Sequence, residues 1–171
     1  HPAAAGVAVA EVGQVQAAAA ARVEGVDVLL LEDDGVHAGQ GVEGPRELAA
    51  DAAAKVALVG DFNVAPQDDD VWDMDFFEGR THVTEPERAA FRAVVDEGFA
   101  DVVRPEHPGP GVYTYWDYQA LRFPKKEGMR IDFVLGSPAV QSAVTGSFID
   151  REERKGKGAS DHAPVVVDLE L

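Results

Sequence analysis

Residues 56–63 read Val56-Ala57-Leu58-Val59-Gly60-Asp61-Phe62-Asn63. Four apolar residues ending in glycine have the length of a buried strand. The Asp-x-Asn step that follows puts two polar side chains at that strand's end. Alone, such a step is a turn, because Asp and Asn side chains bond their own backbone. Two other stretches bear on it. Arg130-Ile131-Asp132 opens a second apolar run that continues to Leu135 and stops at Gly136-Ser137-Pro138. Ser160-Asp161-His162-Ala163-Pro164 precedes a third run over Pro164 to Leu171, where Val165, Val167 and Leu169 alternate with Val166, Asp168 and Glu170. That alternation is the period of a strand with one buried face. Taken singly, Arg-Ile-Asp is an ion-paired strand edge and Asp-His a capped loop.

Working outward, Thr84-Glu85-Pro86-Glu87 fits a capping box at a helix start. Phe91, Val94 and Val95 then share one helical face, and Gly98 suits the stop. Tyr113 to Tyr118 reads as a strand. Upstream, Val26 to Leu31 reads as a short buried strand, Gly39 to Gly44 as a loop, and Arg46 to Lys55 as a helix. Residues 1–55 hold 16 alanines and no aromatic residue, while all 13 aromatic residues fall from Phe62 onward. Aromatic side chains supply much of a core's area, so the chain divides into an Ala-rich segment, 1–55, and a better-equipped domain, 56–171.

The 171 residues suffice for one domain with a sizeable core. There is no cysteine, which excludes a disulfide scaffold, a thiolate metal site and a cysteine nucleophile. No apolar run approaches the roughly 20 residues that span a bilayer, and no secretory signal is visible, so a cytoplasmic location is expected. The chain starts at His1 rather than Met, as a fragment or processed product does. A net charge of −16 argues against nucleic acid. Residues 122–157 run the other way, with 8 of the 15 Lys and Arg against five acidic residues. The remaining histidines, His1, His37, His82 and His107, have no ligand spacing and read as surface or core residues. Asp68-Asp69-Asp70 lacks the pattern of a calcium loop.

In this order, the three strand-end motifs resemble the endonuclease/exonuclease/phosphatase superfamily, most closely its exonuclease III branch. The resemblance covers about Val56 to Leu171. It takes in Gly60-Asp61-Phe62-Asn63-Val64-Ala65-Pro66, Asp70-Val71-Trp72, Thr81-His82-Val83, Tyr113-Thr114-Tyr115-Trp116-Asp117-Tyr118, Gly128-Met129-Arg130-Ile131-Asp132 and Ser160-Asp161-His162-Ala163-Pro164. It implies an α/β fold: part of a four-layer α/β sandwich, its C-terminal half, with one mainly antiparallel or mixed sheet and flanking helices. It also implies a magnesium-dependent DNA phosphodiesterase, with manganese as a substitute, that acts on double-stranded DNA at abasic sites and 3′ ends in base excision repair. Asp61 matches the aspartate that orients or deprotonates the attacking water. Asn63 matches the neighbour that bonds the phosphate and that water. His162 matches the histidine at the scissile phosphate, and Asp132 the carboxylate that holds it. Asp161 matches the acidic residue at or near the metal. Tyr115, Trp116 and Met129 match the pocket for an extruded abasic deoxyribose, and Arg122, Lys125, Lys126 and Arg130 are the phosphate-contacting candidates.

The first third departs from the family. Its Trp-Asn motif and its Tyr-x-Pro-Asn motif are absent. Asp33 stands where the family has its principal metal-binding Glu, one methylene shorter. On this reading half of a two-sheet sandwich is missing, one sheet exposes apolar area, and either the gene is truncated or misread or segments of the protein are missing from this chain. The competing expectation is a catalytically inactive remnant that binds DNA or protein.

Overall fold

The structure, a computed structural model, describes residues 6–10, 20–23, 26–30, 51 and 53–170. Asp33, the loop expected at Gly39–Gly44 and most of the helix expected at Arg46–Lys55 lie outside these residues. The described end of that helix is a turn. Ala53 donates its amide to Asp51 Oδ1 at 2.9 Å and Ala54 to the Asp51 carbonyl at 2.9 Å, so the Asp side chain outcompetes helical bonding.

Strands β1 (Gly6–Ala10), β2 (Ala20–Val23), β3 (Val26–Leu30), β4 (Val56–Asp61), β5 (Ala100–Asp101), β6 (Asp132–Gly136), β7 (Val144–Ile149) and β8 (Val165–Leu169) form two sheets. The larger has the order β2-β3-β4-β6-β5, with β3 and β4 parallel and its other pairs antiparallel. The smaller, β1-β8-β7, is antiparallel throughout. The mixed α/β reading therefore holds, and the expectation of one sheet without a partner is corrected. The alternating strand at the C-terminus pairs with β7 and β1, and its inward face covers the other sheet.

The period of two in β4 and β6 explains the layering. Ala57, Val59 and Val134 point one way and pack with Val165, Val167 and Leu169 of β8. Val56, Leu58, Phe133 and Leu135 point the other way, against Phe91 and Val94 of a helix over Glu85–Asp96. Among the described residues that helix is called α2, after α1 (Met74–Phe77) and before α3 (Arg122–Lys125) and α4 (Pro138–Gln141). Its capping box is in place: Thr84 donates its amide and its hydroxyl to Glu87 Oε2 at 2.9 and 2.6 Å. Phe62, Phe91 and Phe133 meet with ring centroids 4.9–5.5 Å apart, each pair worth about 1 kcal/mol beyond its burial. Phe62 thus anchors the backbone between Asp61 and Asn63.

Tyr113–Tyr118 is not a strand. It makes single bridges from Tyr115 to Met129 and to His162 and then turns into a 3-10 segment at Gln119–Leu121. A regular strand there would have to run past Asp117, whose carboxylate instead takes the Gln119 amide at 2.7 Å and starts the turn.

Candidate active site

Antiparallel pairing of β4 with β6 sets Asp61 directly opposite Asp132. Like charges facing each other across two strands repel, so fold stability alone gives no reason for this pair. His162, on the loop before β8, lies between them. One ring nitrogen, Nδ1, is 2.9 and 3.1 Å from the two Asp132 oxygens. The other, Nε2, is 3.9 Å from Asp61 Oδ2. A carboxylate only accepts, so Nδ1 carries the proton and Nε2 faces Asp61 and the open side. Asp132 is 2% exposed, whereas His162 and Asp61 are 16% and 15% exposed. The buried member holds, and the two rim members can touch a ligand. Asp61 Oδ1 also takes the Asn63 amide at 2.8 Å, and Asn63 sits at φ 52°, a left-handed conformation that Asn tolerates.

The electrostatics follow from the burial. Desolvation, reinforced by the charge of Asp132, raises the Asp61 pKa to about 6 from an ordinary 3.8. Burial opposes a charge on His162. The hydrogen bond and charge of Asp132, with Asp61 and Asp161, outweigh it and lift the imidazole above its ordinary range. Near neutrality the cluster therefore has an ionised carboxylate beside an imidazole biased toward imidazolium, a general base and a hydrogen-bond donor at one rim.

The irregular 113–116 segment assembles the site from both sides. Thr114, fully buried, accepts the Ile131 and Asp132 amides on Oγ1 at 3.1 and 3.2 Å, and its carbonyl takes the Ala163 amide at 2.7 Å. Tyr115 exchanges both backbone bonds with Met129, each 2.9 Å, and stacks at 4.9 Å on the His162 ring. Burial and the charges of Asp117, Asp161 and Asp61 push its phenol up to about 12, so it stays neutral. Trp116 donates its amide to the Asp161 carbonyl at 2.9 Å.

Beside this cluster lies a pocket of about 400 Å³. Tyr115, Met129, Trp72 and Phe76 form its apolar wall, and Arg80, His82, Asp117, Arg122 and Glu127 its polar one. Arg122 lies over Trp72 and Phe76, 4.8 and 4.6 Å from the ring centroids, and pairs with Glu127. Arg80 lies 4.2 Å over Phe76. Sequence reasoning assigns no pocket role to Trp72 or Arg80: Trp72 is brought to the wall by its amide bonding the Gly128 carbonyl at 3.1 Å, and Arg80 by its contact with Phe76.

Two candidates belong elsewhere. Trp116 is 2% exposed and packs with Tyr113 and Phe123 behind the pocket, because successive side chains of an extended segment point to opposite sides and Tyr115 takes the pocket side. Arg130 is also 2% exposed, with Nε 2.7 Å from Asp70 and Nη1 on Asp101. Arg104 completes this network on Asp70. Arg130 is a structural cation and has no access to a ligand phosphate. Lys125 and Lys126 are exposed on α3 and its cap, outside the pocket.

The donors suit a hard divalent cation. Asp61, Asp132 and His162 offer atoms within 4.8 Å of one another, and the charge of Asp161 reaches His162 and Tyr115. Nδ1 of His162 and Asp132 satisfy each other, which leaves Asp61 as the member of this trio with a carboxylate oxygen open to an ion.

A model of the Endonuclease/Exonuclease/phosphatase family matches residues 20–162. An exodeoxyribonuclease of Bacillus subtilis (strain 168) is 30% identical over 125 residues, 72% of this chain and 48% of the relative. The DNA repair nuclease APEX1 of Danio rerio is 30% identical over 120 residues, 70% of this chain and 37% of the relative. The chain thus spans about half or less of the curated relatives it matches. Among solved structures, a 3′-5′ exonuclease (NExo) from Neisseria meningitidis superposes with a TM-score of 0.79 at 33% identity, over 89% of this chain and 64% of that one. With the strand-end Asp-x-Asn, the β6 aspartate and the Asp-His loop converging at one place, the chain belongs to the endonuclease/exonuclease/phosphatase family, in its exonuclease III branch.

Proposed function

We propose that this chain carries the phosphodiester-cleaving site of a DNA repair nuclease acting at abasic sites and 3′ ends. One observation carries the reading: an ionisable carboxylate and an Asp-held imidazole, Asp61 and His162, face each other across 3.9 Å beside a pocket of about 400 Å³, whose lining residue Tyr115 contacts the His162 ring. Asp61 Oδ2 takes the proton of a water aligned for in-line attack. His162 Nε2 donates to a phosphoryl oxygen as charge develops there, and Asp132 fixes the tautomer and orientation of the ring. Asn63, one residue beyond the Phe62 anchor, supplies an amide to the same phosphate or water.

A divalent cation, magnesium by the hardness of its donors, would be held by Asp161 and Asp61, with Asp33 as a further candidate, and supplies charge neutralisation at the phosphoryl oxygens when bound. Tyr115 and Met129 offer a floor suited to an extruded deoxyribose without its base, since extrusion costs least where nothing is stacked. Arg122 at the pocket wall, with Lys125 and Lys126 on the exposed helix beside it, provides the cations for neighbouring phosphates. The overall charge of −16 confines DNA contact to this locally basic face.

The test is incubation of the chain with a duplex containing a tetrahydrofuran abasic analogue, with magnesium and with a chelator. Cleavage is expected with magnesium only, and is expected to vanish in Asp61→Asn. Duplex binding without cleavage under every condition would instead establish the chain as a DNA-binding remnant, in line with its missing Tyr-x-Pro-Asn motif.

A further inference from the structure

His82 lies in the Thr81-His82-Val83 stretch, to which the resemblance assigns no role, yet it touches the site through the backbone of Asn63. Its Nδ1 is 2.7 Å from the Asn63 carbonyl oxygen. A carbonyl only accepts, so Nδ1 bears the hydrogen and the tautomer is fixed. Two residues on, the Ala65 amide donates to the His82 carbonyl at 2.7 Å, and Arg88 Nε donates to the Ala65 carbonyl at 3.0 Å. The loop after β4 is therefore stitched at two points to the lead-in of α2. Both stitched residues are left-handed, Asn63 at φ 52° and His82 at φ 77°. A non-glycine residue in that region costs about 1–3 kcal/mol and persists only where its surroundings determine it. The surroundings are on view here: the Thr84–Glu87 capping box fixes the chain two residues beyond His82, and Asp61 takes the Asn63 amide.

We infer that His82 is a positioning residue for Asn63: its Nδ1–H holds the Asn63 peptide in the left-handed conformation and so sets the direction in which the Asn63 side chain leaves the backbone beside Asp61. This rests on the nuclease reading for its catalytic consequence, but not for its structural one. The directed bond from the ring to a backbone carbonyl, made at a left-handed φ, is what separates this contact from space-filling.

The chemistry of the side chain gives a selective test. An Asn amide nitrogen occupies about the place of histidine Nδ1 and tolerates a left-handed φ. A Gln amide reaches the place of Nε2 and leaves the Asn63 carbonyl without its donor. Steady-state cleavage of the tetrahydrofuran duplex with magnesium is measured for the parent, His82→Asn, His82→Gln, Asn63→Ala and the double variant His82→Gln/Asn63→Ala. His82→Gln is expected to lose about 10-fold or more in kcat, a larger effect than any change in KM from its place in the pocket wall, because the lost interaction aligns a group acting in the transition state. His82→Asn is expected to recover most of that loss. In the Asn63→Ala background, His82→Gln is expected to add nothing, since the two then act as one unit. Equal damage in His82→Asn and His82→Gln, or a full further loss in the double variant, overturns the inference.

A second readout needs no activity. The Cα and Cβ chemical shifts of Asn63 report its φ, and are expected to move in His82→Gln and to stay in His82→Asn. Unchanged Asn63 shifts in His82→Gln overturn the positioning role even in an active enzyme. Moved shifts in a chain that cleaves nothing uphold the role while the nuclease reading fails.

Discussion

Asp61→Asn should destroy activity and stabilise the fold. The native carboxyl has a pKa of about 6 against an ordinary 3.8, a difference of about 2 units. Each unit is about 1.4 kcal/mol of preference for the neutral form, so keeping Asp61 ionised in the folded chain costs about 3 kcal/mol. The sign follows from proton binding. Between 3.8 and 6 the folded state holds a proton that the unfolded state has released, so stability falls as pH rises through this window and stays reduced above it. Asn is a neutral isostere that can still accept the Asn63 amide. The variant should therefore exceed the parent by about 2–3 kcal/mol at pH 8 and by nothing at pH 4 or below, an increase of roughly 4–12 °C in Tm for a chain of this size. Urea unfolding at pH 8 and pH 4, in chelator so that no ion pairs with the carboxylate, measures both values. A variant less stable than the parent at pH 8, or one equally stabilised at both pH values, would refute the claim that Asp61 is held in a desolvated, repelled position.

The same groups predict that kcat/KM of the proposed reaction rises with pH through about 6 as Asp61 ionises and declines above the raised range of His162 as its proton is lost; Asp132→Asn should bring that decline to lower pH, read from pH–rate profiles. Arg130→Ala, which leaves Asp70 buried and Asp101 half-buried without their shared cation, should cost about 3–5 kcal/mol in urea unfolding; a loss below 1 kcal/mol would show the network to be dispensable. Gly128→Ala sets a Cβ 2.5 Å from Trp116 Nε1 and 2.8 Å from Tyr113 Cβ, so the pocket floor must shift; KM for the abasic duplex should rise, and an unchanged KM together with an unchanged Tm would count against the close approach. Thr114→Val removes the acceptor shared by two buried amides and should cost about 1–3 kcal/mol together with a fall in kcat, because Asp132 loses its anchor.

Patterns of local period were legible in the chain before folding. The run at Val56–Val59, the Ile131–Leu135 run and the alternation in Val165–Leu169 became β4, β6 and β8, because each buries a face that period two defines. The Thr84–Glu87 box became a real helix start, because its bonds are made within four residues. Segments governed by distant partners were not legible. Tyr113–Tyr118 has the composition of a strand but spends its hydrogen bonds on three different segments. Arg130 looks like a surface cation beside a motif, until Asp70 from a 3-10 turn, Asp101 at the end of β5 and Arg104 just beyond it enclose it. Trp116 looks like a pocket ring until its packing with Tyr113 and Phe123 buries it and leaves the pocket to Tyr115. The convergence of Asp61, Asp132 and His162 was readable from motif order. The Trp72–Arg122–Phe76 wall was not, because it depends on the register between Trp72 and Gly128.

What ties the site to the fold is the conflict at the end of β4. A chain folding for stability alone would not set two aspartates opposite each other on adjacent strands, one of them 2% exposed. The arrangement persists because Phe62, fully buried between Phe91 and Phe133, fixes the β4 end regardless of what its neighbours prefer, and because Thr114 fixes the β6 start. Apolar packing thus supplies the rigidity, and the unfavourable charge pair uses it. His162 relieves the repulsion only in part, since its 3.9 Å approach to Asp61 leaves that carboxylate without a direct bond to the ring. The residual strain falls on Asp61, the carboxylate of the cluster that faces the rim and whose proton affinity a general base requires to be raised.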